Sequence, residues 1–505
     1  MKKITINLFL FGILLSCISC EDGMDGIDGI DGADGIDGIG ISHFSTASTF
    51  NLGDGVPEIS AYDAVTQKVF STNSDAAQVD VIDISDVNNP QQFETIDITA
   101  FGGNVNSVAC KNGFLAIAVE AVTATDNGSV VIFNTSDLTA PVAQVTAGAL
   151  PDMVTFTPDG NYVISANEGE PNDDYTIDPP GTITVIDMSN YSSTQVTFDA
   201  FNANETALEA EGFRVFGPGA NLSTDVEPEY IAVSSNSQTA YIALQENNGI
   251  AKLDIASKTI TDIYPLGTKD YSEVFFDLSD RDDEAGNLNN WPVLSFYQPD
   301  AIDYFEIGGI GYIISANEGD ARDYDGYSEE DRCDDLNLDP IAYPDAATLQ
   351  LDENLGRLKV TTANGDIDGD GDIDQIYGYG ARSFSIWSTT GDLLFDSGNE
   401  FTLKTLYEFG SYPENRSDDK GTEPESVTTY SDGTNTFAII GLERSGDVLI
   451  YNINDIYNPR FVQRLRNTSP EGLLIVNAED SPNGKTLLII SNEFPDNATL
   501  NIYTL

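Results

Sequence analysis

Hydrophobic and polar residues alternate along short stretches of this chain, and the stretch 151–187 shows the pattern most fully. Three segments with a period of two, 153–157, 162–166 and 182–187, are separated by a Pro-Asp-Gly-Asn tetrapeptide and then by a polar loop. Alternation bounded by turn residues is typical of β-strands joined by hairpins and loops. The stretch therefore predicts an antiparallel unit of at least three strands.

This unit recurs along the chain, and each copy opens on an acidic residue or on an asparagine. The opening residues are Glu58, Asn106, Asp152, Glu229, Asp300, Glu425 and Glu471, and proline precedes every one except Asn106. The second strands end on polar residues, namely Asn73, Glu120, Asn167-Glu168, Gln245-Glu246, Asn317-Glu318, Glu443 and Asn492-Glu493. Seven all-β repeats of about 40 residues or more favour a β-propeller over a solenoid.

The two ends of the repeat region predict how the ring closes. The last copy ends on its third strand at Leu505, and residues 43–52 form a further strand before the first copy. We expect this N-terminal strand to complete the last blade, because closure removes exposed sheet edges. The predicted fold is an all-β, seven-bladed propeller over residues 42–505.

Long segments interrupt the repeats, and all of them are expected on one face of the propeller. They are residues 168–181, 200–228, 266–299 and 318–380. The last is a large insertion between the second and third strands of one blade. Long loops on a single face of a rigid scaffold are where binding and catalytic residues concentrate.

The first 41 residues have a different composition. Residues 1–20 combine two lysines, an apolar run and a terminal cysteine, which predicts a lipoprotein signal peptide with lipid on Cys20 or, alternatively, Cys17. Residues 21–41 place glycine at every third position, as in collagen, but lack proline and favour a flexible acidic spacer. We expect a protein of the bacterial cell envelope, exposed at the surface or to the periplasm. Only its lipid would contact the (outer) membrane.

Charge restricts the partners of this chain. The net charge is −61, from 83 acidic and 22 basic residues. A field of this sign repels nucleic acid, which is therefore not an expected partner, and it attracts multivalent cations. The protein is expected to be a monomer. Cys110 and Cys333 remain outside the signal peptide, and the sequence leaves open whether they pair.

The recurring acids predict a metal centre. Strand entries and exits are neighbours in antiparallel sheets, so the acids should gather at one mouth of the propeller channel. Their repulsion would raise their pKa values, and oxygen ligands suit Ca²⁺ or, alternatively, Mg²⁺. The predicted ligands are Glu168, Asp300, Glu318, Glu425, Glu443 and Glu471. The alternative is that each acid accepts backbone hydrogen bonds and fixes the turn of its own blade.

A second predicted calcium site lies within the large insertion. Its ligands are the alternating acids Asp366, Asp368, Asp370, Asp372 and Asp374. Acids at loop positions 1, 3, 5 and 9 and Gly371 at position 6 match the first part of an EF-hand loop. Position 12 is Tyr377, so the usual bidentate glutamate is missing.

The single histidine restricts the catalytic chemistry that is open to this chain. His43 is the single histidine, which excludes a Ser–His–Asp triad and a histidine-rich zinc site. Hydrolysis would then need metal-activated water or a carboxylate base, and we predict Glu318 and Glu443 as catalytic carboxylates with Arg382 as a phosphate contact. Three other basic residues, Arg322, Lys420 and Arg444, belong to the same face, and local ion pairing is the alternative for all four.

Several motifs resemble the choice-of-anchor I domain family over roughly residues 43–505. They are SANEGEPNDDY, SANEGDARDYDGY, GDIDGDGDIDQIYGYGARSFSIW, GTEPESV and SPEGLL. The family is similar to secreted calcium-dependent alkaline phosphatases and, more distantly, to phytase-like propellers. The resemblance implies a propeller, calcium and hydrolysis of a phosphate ester. The family also has surface glycoprotein-like members, so the alternative function is a calcium-stabilised module that binds glycan or protein.

Overall fold

A computed structural model describes residues 43–53, 55–282, 285–493 and 497–505. The predicted signal peptide, Cys17, Cys20 and the collagen-like spacer lie outside these residues. No helix within the described ranges is both long enough and apolar enough to span a membrane.

The described chain is all-β, as predicted, and most of its strands form seven four-stranded sheets. Within each sheet the neighbouring strands are antiparallel. Sheet 1 contains Ser60–Asp63, Lys68–Asn73, Gln78–Asp83 and Gln91–Asp97. Sheet 2 contains Val105–Lys111, Phe114–Val119, Asn127–Asn134 and Ala143–Ala149. Sheet 3 contains Pro151–Phe156, Tyr162–Asn167, Thr182–Asp187 and Ser192–Val196.

The remaining sheets follow the same plan, with strands given in hydrogen-bonded order. Sheet 4 contains Pro228–Val233, Thr239–Leu244, Gly249–Asp254 and Thr259–Pro265. Sheet 5 contains Ile302–Ile307, Ile310–Asn317, Ser383–Ser388 and Leu393–Asp396. Sheet 6 contains Pro424–Ser431, Thr436–Leu442, Asp447–Asn452 and Arg460–Arg466. Sheet 7 contains Pro470–Val476, Leu487–Asn492, Ala498–Thr504 and Ser45–Gly53.

Sheet 7 joins the two ends of the described chain. The N-terminal strand Ser45–Gly53 pairs antiparallel with Ala498–Thr504, as the sequence predicted. Just before this strand, the backbone N–H of Phe44 donates to Gln463 Oε1 at 2.9 Å, and Gln463 Nε2 donates back to the Phe44 carbonyl at 2.7 Å. The strand is therefore tied to both sheet 6 and sheet 7.

The hydrophobic core is divided among the contacts between consecutive sheets. Phe70 of sheet 1, for example, packs in one cluster with Leu115 and Ile117 of sheet 2. The first strand of each sheet contacts the first strand of the next, and the first strand of sheet 7 contacts that of sheet 1. A further cluster joins Val69 of sheet 1 to Leu487 of sheet 7. Sheets packed face to face in this way are typical of a β-propeller-like fold.

Two of the long segments fold together, which the sequence did not predict. Residues from 266–299 and 318–380 form a mixed five-stranded sheet of Thr268–Asp270, Val293–Phe296, Ile376–Gly378, Lys359–Thr361 and Glu330–Arg332. Val293–Phe296 and Ile376–Gly378 pair in parallel. A separate core that includes Trp291, Cys333 and Leu355 fills this insertion. A small hairpin, Asp323–Tyr324 and Tyr327–Ser328, also belongs to it.

Helices are short and lie in the connections. The α-helices are Glu205–Glu209, Leu222–Asp225, Ala346–Leu349 and Glu400–Leu403. The 3₁₀ helices are Asp199–Asn204, Cys333–Asp335 and Glu414–Arg416, and Lys404–Phe409 is a π-helix. Cys110, in sheet 2, and Cys333, in the insertion, are free thiols.

The stability of the protein should depend on the packing of the segment that contains the N-terminal strand. Phe44→Ala removes a ring that is 5% exposed and packs between sheets 6 and 7, so it should lower the free energy of unfolding by about 3–5 kcal/mol. Phe93→Ala is the matched control, because that ring is 52% exposed on the outer strand of sheet 1. Equal midpoints for the two variants in urea denaturation would contradict a structural role for the N-terminal segment.

Candidate metal centre

The recurring acids are aimed by irregularities at the start of the first strands. In sheets 3, 4, 6 and 7 the first strand begins at a proline, which pairs with the end of the second strand. A register shift follows at once and contains Asp152, Glu229, Glu425 and Glu471. Proline is tolerated at the first residue of a strand, and a bulge turns a side chain away from the regular ladder. Each of these Pro-acid dipeptides therefore directs a carboxylate side chain away from the regular strand ladder.

Three of these acids, Asp152, Glu425 and Glu471, line one cavity of about 350 Å³, whereas Glu229 is outside its described lining. Nine carboxylates contribute to its wall: Glu58, Asp152, Asp300, Glu318, Asp320, Glu425, Glu443, Glu471 and Glu493. Lys420 and Arg444 are the basic residues among the described lining residues. Neighbouring first strands bring the acids together, as the repeat pattern predicted. Two positive charges cannot balance nine negative ones.

Three predicted ligands form the tightest group in this cavity. Carboxylate oxygens of Asp300, Glu318 and Glu425 lie within 4.8 Å of one another. Lys420 Nζ donates to Glu318 Oε1 at 2.7 Å. An oxygen-only donor set converging from two sheets fits a hard divalent cation such as Ca²⁺. We call Asp300, Glu318 and Glu425 the first carboxylate group.

Burial and mutual repulsion perturb the titration of this group. Burial, reinforced by repulsion from Asp152, raises the pKa of Asp300 to about 7. Burial also raises the pKa of Glu318 to about 8, although Lys420 opposes the shift. The pKa of Glu425 lies well above its usual range because the side chain is buried beside Glu318 and Asp300. Without a cation, the folded protein therefore retains protons on this group near neutral pH.

The predicted ligands Glu443 and Glu471 line the same cavity beside the first group. The hydroxyl of Ser469 donates to Glu443 Oε1 at 3.2 Å and lies 3.4 Å from Glu471 Oε1. Arg444 forms an ion pair with Glu443 and also donates through Nε to Glu423 Oε2 at 2.9 Å. Burial, with repulsion from Glu443 and Glu493, raises the pKa of Glu471 to about 10. The negative charge of Glu471 is therefore difficult to form at neutral pH without a cation.

Glu168 does not join the other predicted ligands. It is absent from the described lining of the cavity. Burial and repulsion from Asp152, Glu170 and Glu246 raise its pKa well above the usual range. The side chain therefore belongs to a different group of acids, which lies between sheets 3 and 4.

The prediction that Arg382 contacts a phosphate is not supported by its position. Its side chain is 2% exposed, and its terminal nitrogens donate to the carbonyl oxygens of Asp277, Ser417 and Asp419. These bonds attach the third strand of sheet 5 to neighbouring connections. Arg322 is also structural, because its Nη1 and Nε bind Asp225 and Glu227 at 2.7 and 2.8 Å. Among the four basic candidates, Lys420 and Arg444 reach the cavity.

The aspartate loop folds around two of its own carboxylates. Asp366 accepts hydrogen bonds from the backbone N–H groups of Gly369 and Gly371 at 2.8 and 3.1 Å, and Asp374 accepts one from Ile367 at 2.8 Å. Oxygens of Asp366, Asp368 and Asp374 lie within 4.8 Å of one another. Repulsion from Asp370 raises the pKa of Asp368. The loop thus gathers part of the predicted ligand set, while Asp370 and Asp372 lie outside this trio.

Two acids close to the predicted ligands were missed in the sequence, although a repeat could have identified them. Asp320 lines the cavity, and the Tyr324 hydroxyl donates to Glu170 at 3.0 Å near Glu168. Both follow an Asn-Glu-Gly tripeptide, at 167–169 and 317–319, whose glycines have positive φ of 74° and 91°. Glycine adopts this conformation readily, and the resulting turn keeps the acid that follows it near the end of the strand.

The raised pKa values predict a pH dependence. In chelator, the folded state holds protons that the unfolded chain releases near pH 4–5, so stability should fall as the pH rises from about 5 to about 8. Glu471→Gln should flatten this decline in the thermal midpoint, and the exposed-site control Glu94→Gln should not. A midpoint independent of pH in chelator would contradict repulsion among the cavity acids.

Two known proteins are similar to parts of this chain. Gigasin-3a of Magallana gigas is 34% identical over 122 residues, covering 21% of this chain and 43% of that protein. The mesenchyme-specific cell surface glycoprotein of Strongylocentrotus purpuratus is 32% identical over 156 residues, covering 28% and 19%. This chain thus covers less than half the length of either relative.

A solved structure also superposes on much of the chain. Hydrazine synthase of Kuenenia stuttgartiensis matches with a TM-score of 0.47 and 12% identity, over 92% of this chain and 98% of the other.

The model of the choice-of-anchor I domain family matches residues 58–456, which include sheets 1 to 5 and most of sheet 6. The chain therefore belongs to the choice-of-anchor I domain family.

Proposed function

We propose that this protein is a surface-associated, calcium-dependent phosphoesterase with its active centre in the carboxylate cavity. The observation that carries the proposal is the convergence of Asp300, Glu318 and Glu425 within 4.8 Å on the wall of a 350 Å³ cavity. Ca²⁺ is the proposed cofactor, with Mg²⁺ as the alternative, because the donors are all oxygen. The aspartate loop 366–374 is a proposed second, structural calcium site.

The proposal includes the scaffold. The seven sheets are taken as the blades of one seven-bladed propeller, closed by the strand Ser45–Gly53. The cyclic contacts among the first strands support this count, and so does the pairing of Ser45–Gly53 with Ala498–Thr504. The carboxylate cavity would then be one mouth of the central channel. A second cavity of about 560 Å³ shares Ile59, Met153 and Tyr230 with it and extends along the first strands.

The cavity residues would have different roles in the reaction, according to their chemistry. Bound Ca²⁺ would supply charge stabilisation for the phosphoryl oxygens. Lys420 and Arg444 are the cationic side chains placed to orient the ester, each already held by a carboxylate. Glu443, whose pKa is raised by burial, can hold the proton that a leaving alkoxide needs. Glu318 then acts as a ligand and as the anchor of Lys420.

The location is part of the same proposal. The family and the sea-urchin surface glycoprotein support a protein associated with the cell surface. Lipid on Cys20, or on Cys17, would attach the chain to the outer membrane of a bacterial envelope. The acidic spacer 21–41 would separate the lipid from the sheets. The proposed protein is a monomer.

A second candidate function is calcium-dependent binding of a surface glycan or protein without hydrolysis. The relative named as a cell surface glycoprotein favours it. The pairing of Lys420 with Glu318 favours it as well, because a paired lysine is less available to a phosphate. The same centre serves both candidates, so activity decides between them.

Hydrolysis of p-nitrophenyl phosphate by the purified full-length protein in detergent tests the proposal. Activity should require added Ca²⁺ and disappear in chelator. Glu425→Gln should reduce kcat/KM by about 10²-fold or more, because it removes a carboxylate ligand of the Ca²⁺ that would stabilise charge at the reacting group. Glu94→Gln, the same chemical change on an exposed strand, should leave the rate unchanged.

Binding of Ca²⁺ without activity would contradict the phosphoesterase. A rise in thermal midpoint with Ca²⁺ that Glu425→Gln abolishes, together with no hydrolysis in Ca²⁺, Mg²⁺ or Mn²⁺, would favour the binding module. A midpoint unaffected by Ca²⁺ in wild type would contradict both candidates.

A further inference from the structure

The first carboxylate group occupies defined positions in the repeat. Asp300 opens sheet 5, Glu318 follows the second strand of that sheet, and Glu425 opens sheet 6. Glu443 follows the second strand of sheet 6. The equivalent positions in sheets 3 and 4 carry Asp152, Glu168, Glu229 and Glu246. We call these four residues the second carboxylate group.

The local sequence repeats along with the topology. The tripeptide Asn-Glu-Gly followed by an acid occurs at 167–170 and 317–320, and Glu-Pro-Glu occurs at 227–229 and 423–425. Neither motif occurs elsewhere in the chain. Both sheets that carry the first motif also have a long segment between their second and third strands. The same two local motifs therefore orient acidic side chains at two places, between sheets 3 and 4 and between sheets 5 and 6.

Unpaired oxygen atoms distinguish the second group from a set of hydrogen-bonded turn residues. Glu229 is 7% exposed, and its Oε2 is buried without a hydrogen-bond partner. Glu246 Oε2 is also buried without one. The two carboxyl groups are close enough for each to shift the pKa of the other. Buried carboxylate oxygens without donors are costly, and two adjacent ones need a cation or a proton between them.

The second group also lacks the counter-charge that the first possesses. Lys420 pairs with Glu318 in the first group. Among the described residues, no lysine or arginine forms an ion pair with Asp152, Glu168, Glu229 or Glu246. The nearby Arg322 is committed to Asp225 and Glu227. The charge of the second group is thus less compensated than that of the first.

We propose that the second carboxylate group binds a calcium ion of its own, with Glu229 and Glu246 as the central ligands. Carboxylates from two sheets can supply the irregular oxygen shell that Ca²⁺ accepts and that Mg²⁺ does not. The ion replaces the missing basic side chain and holds sheets 3 and 4 together. The argument from equivalence rests on the proposed calcium site in the first group, whereas the unpaired oxygens are independent of it.

Burial affects both groups in the same direction. The pKa of Glu229 lies well above its usual range because the side chain is buried beside Glu246 and Glu168. The pKa of Asp152 rises to about 6 through burial and repulsion from Glu246. A cation relieves the repulsion that contributes to these shifts.

The test counts bound calcium per chain. The purified full-length protein is equilibrated with Ca²⁺ in detergent, and calcium is measured by inductively coupled plasma mass spectrometry. Glu229→Gln with Glu246→Gln should lose one ion relative to wild type. Asp300→Asn with Glu425→Gln should lose a different single ion, and Glu94→Gln should lose none.

The outcomes separate the two sites. An unchanged calcium count in Glu229→Gln with Glu246→Gln overturns the second site and leaves a shared proton between the two carboxyl groups. An unchanged count in Asp300→Asn with Glu425→Gln removes the first site, and the proposed function with it, without affecting the second. The calcium count does not depend on hydrolysis, so inactivity alone changes neither result.

A further variant covers the case in which the double substitution in the second group prevents folding. It keeps the second group intact and carries Asp300→Asn, Glu425→Gln, Asp366→Asn and Asp374→Asn. One tightly bound calcium ion per chain should remain in this protein, and its thermal midpoint should still rise with Ca²⁺. No remaining ion would overturn the proposal.

Discussion

Uncompensated negative charge is the constraint on which the rest of this structure depends. Two unit charges 4 Å apart repel by about 4 kcal/mol at an effective dielectric constant of about 20. Nine carboxylates share one cavity wall with two basic residues. Hydrogen bonds from Ser469 and Lys420 offset only part of the negative charge of these carboxylates. The cavity acids must therefore hold protons or bind cations.

The sheets can impose this concentration of charge because their cohesion lies elsewhere. Apolar clusters join each sheet to the next, including sheet 7 to sheet 1. The acids are placed at strand starts, after a proline and inside a register shift, where the hydrogen-bond ladder is already interrupted. Packing therefore fixes the positions of the carboxylates even though their mutual interaction is repulsive. Clustered titratable groups with perturbed pKa values are typical of functional sites.

Because basic residues are scarce, the positions where they form ion pairs determine which acids keep an uncompensated negative charge. Arg332 and Arg357 pair with Asp418, and Arg382 binds backbone carbonyls, so these side chains attach the insertion to the sheets. Arg214 and Arg322 pair with buried acids near sheet 4. In a chain with 22 basic and 83 acidic residues, charges used in this way are not available to the cavity. The scaffold itself thus leaves the carboxylate groups to be neutralised by protons or by cations.

The sequence by itself determined the strands, their order within each sheet and the residues that open them, because period-two patterns and Pro-acid dipeptides act locally. It also identified the pairing of the N-terminal strand with the last sheet and most of the acids of the cavity. Only the tertiary structure decided that Glu168 belongs between sheets 3 and 4, that Arg382 is buried, and that two distant insertions share one sheet. Those facts depend on contacts between segments far apart in the chain, and no local pattern encodes such distances.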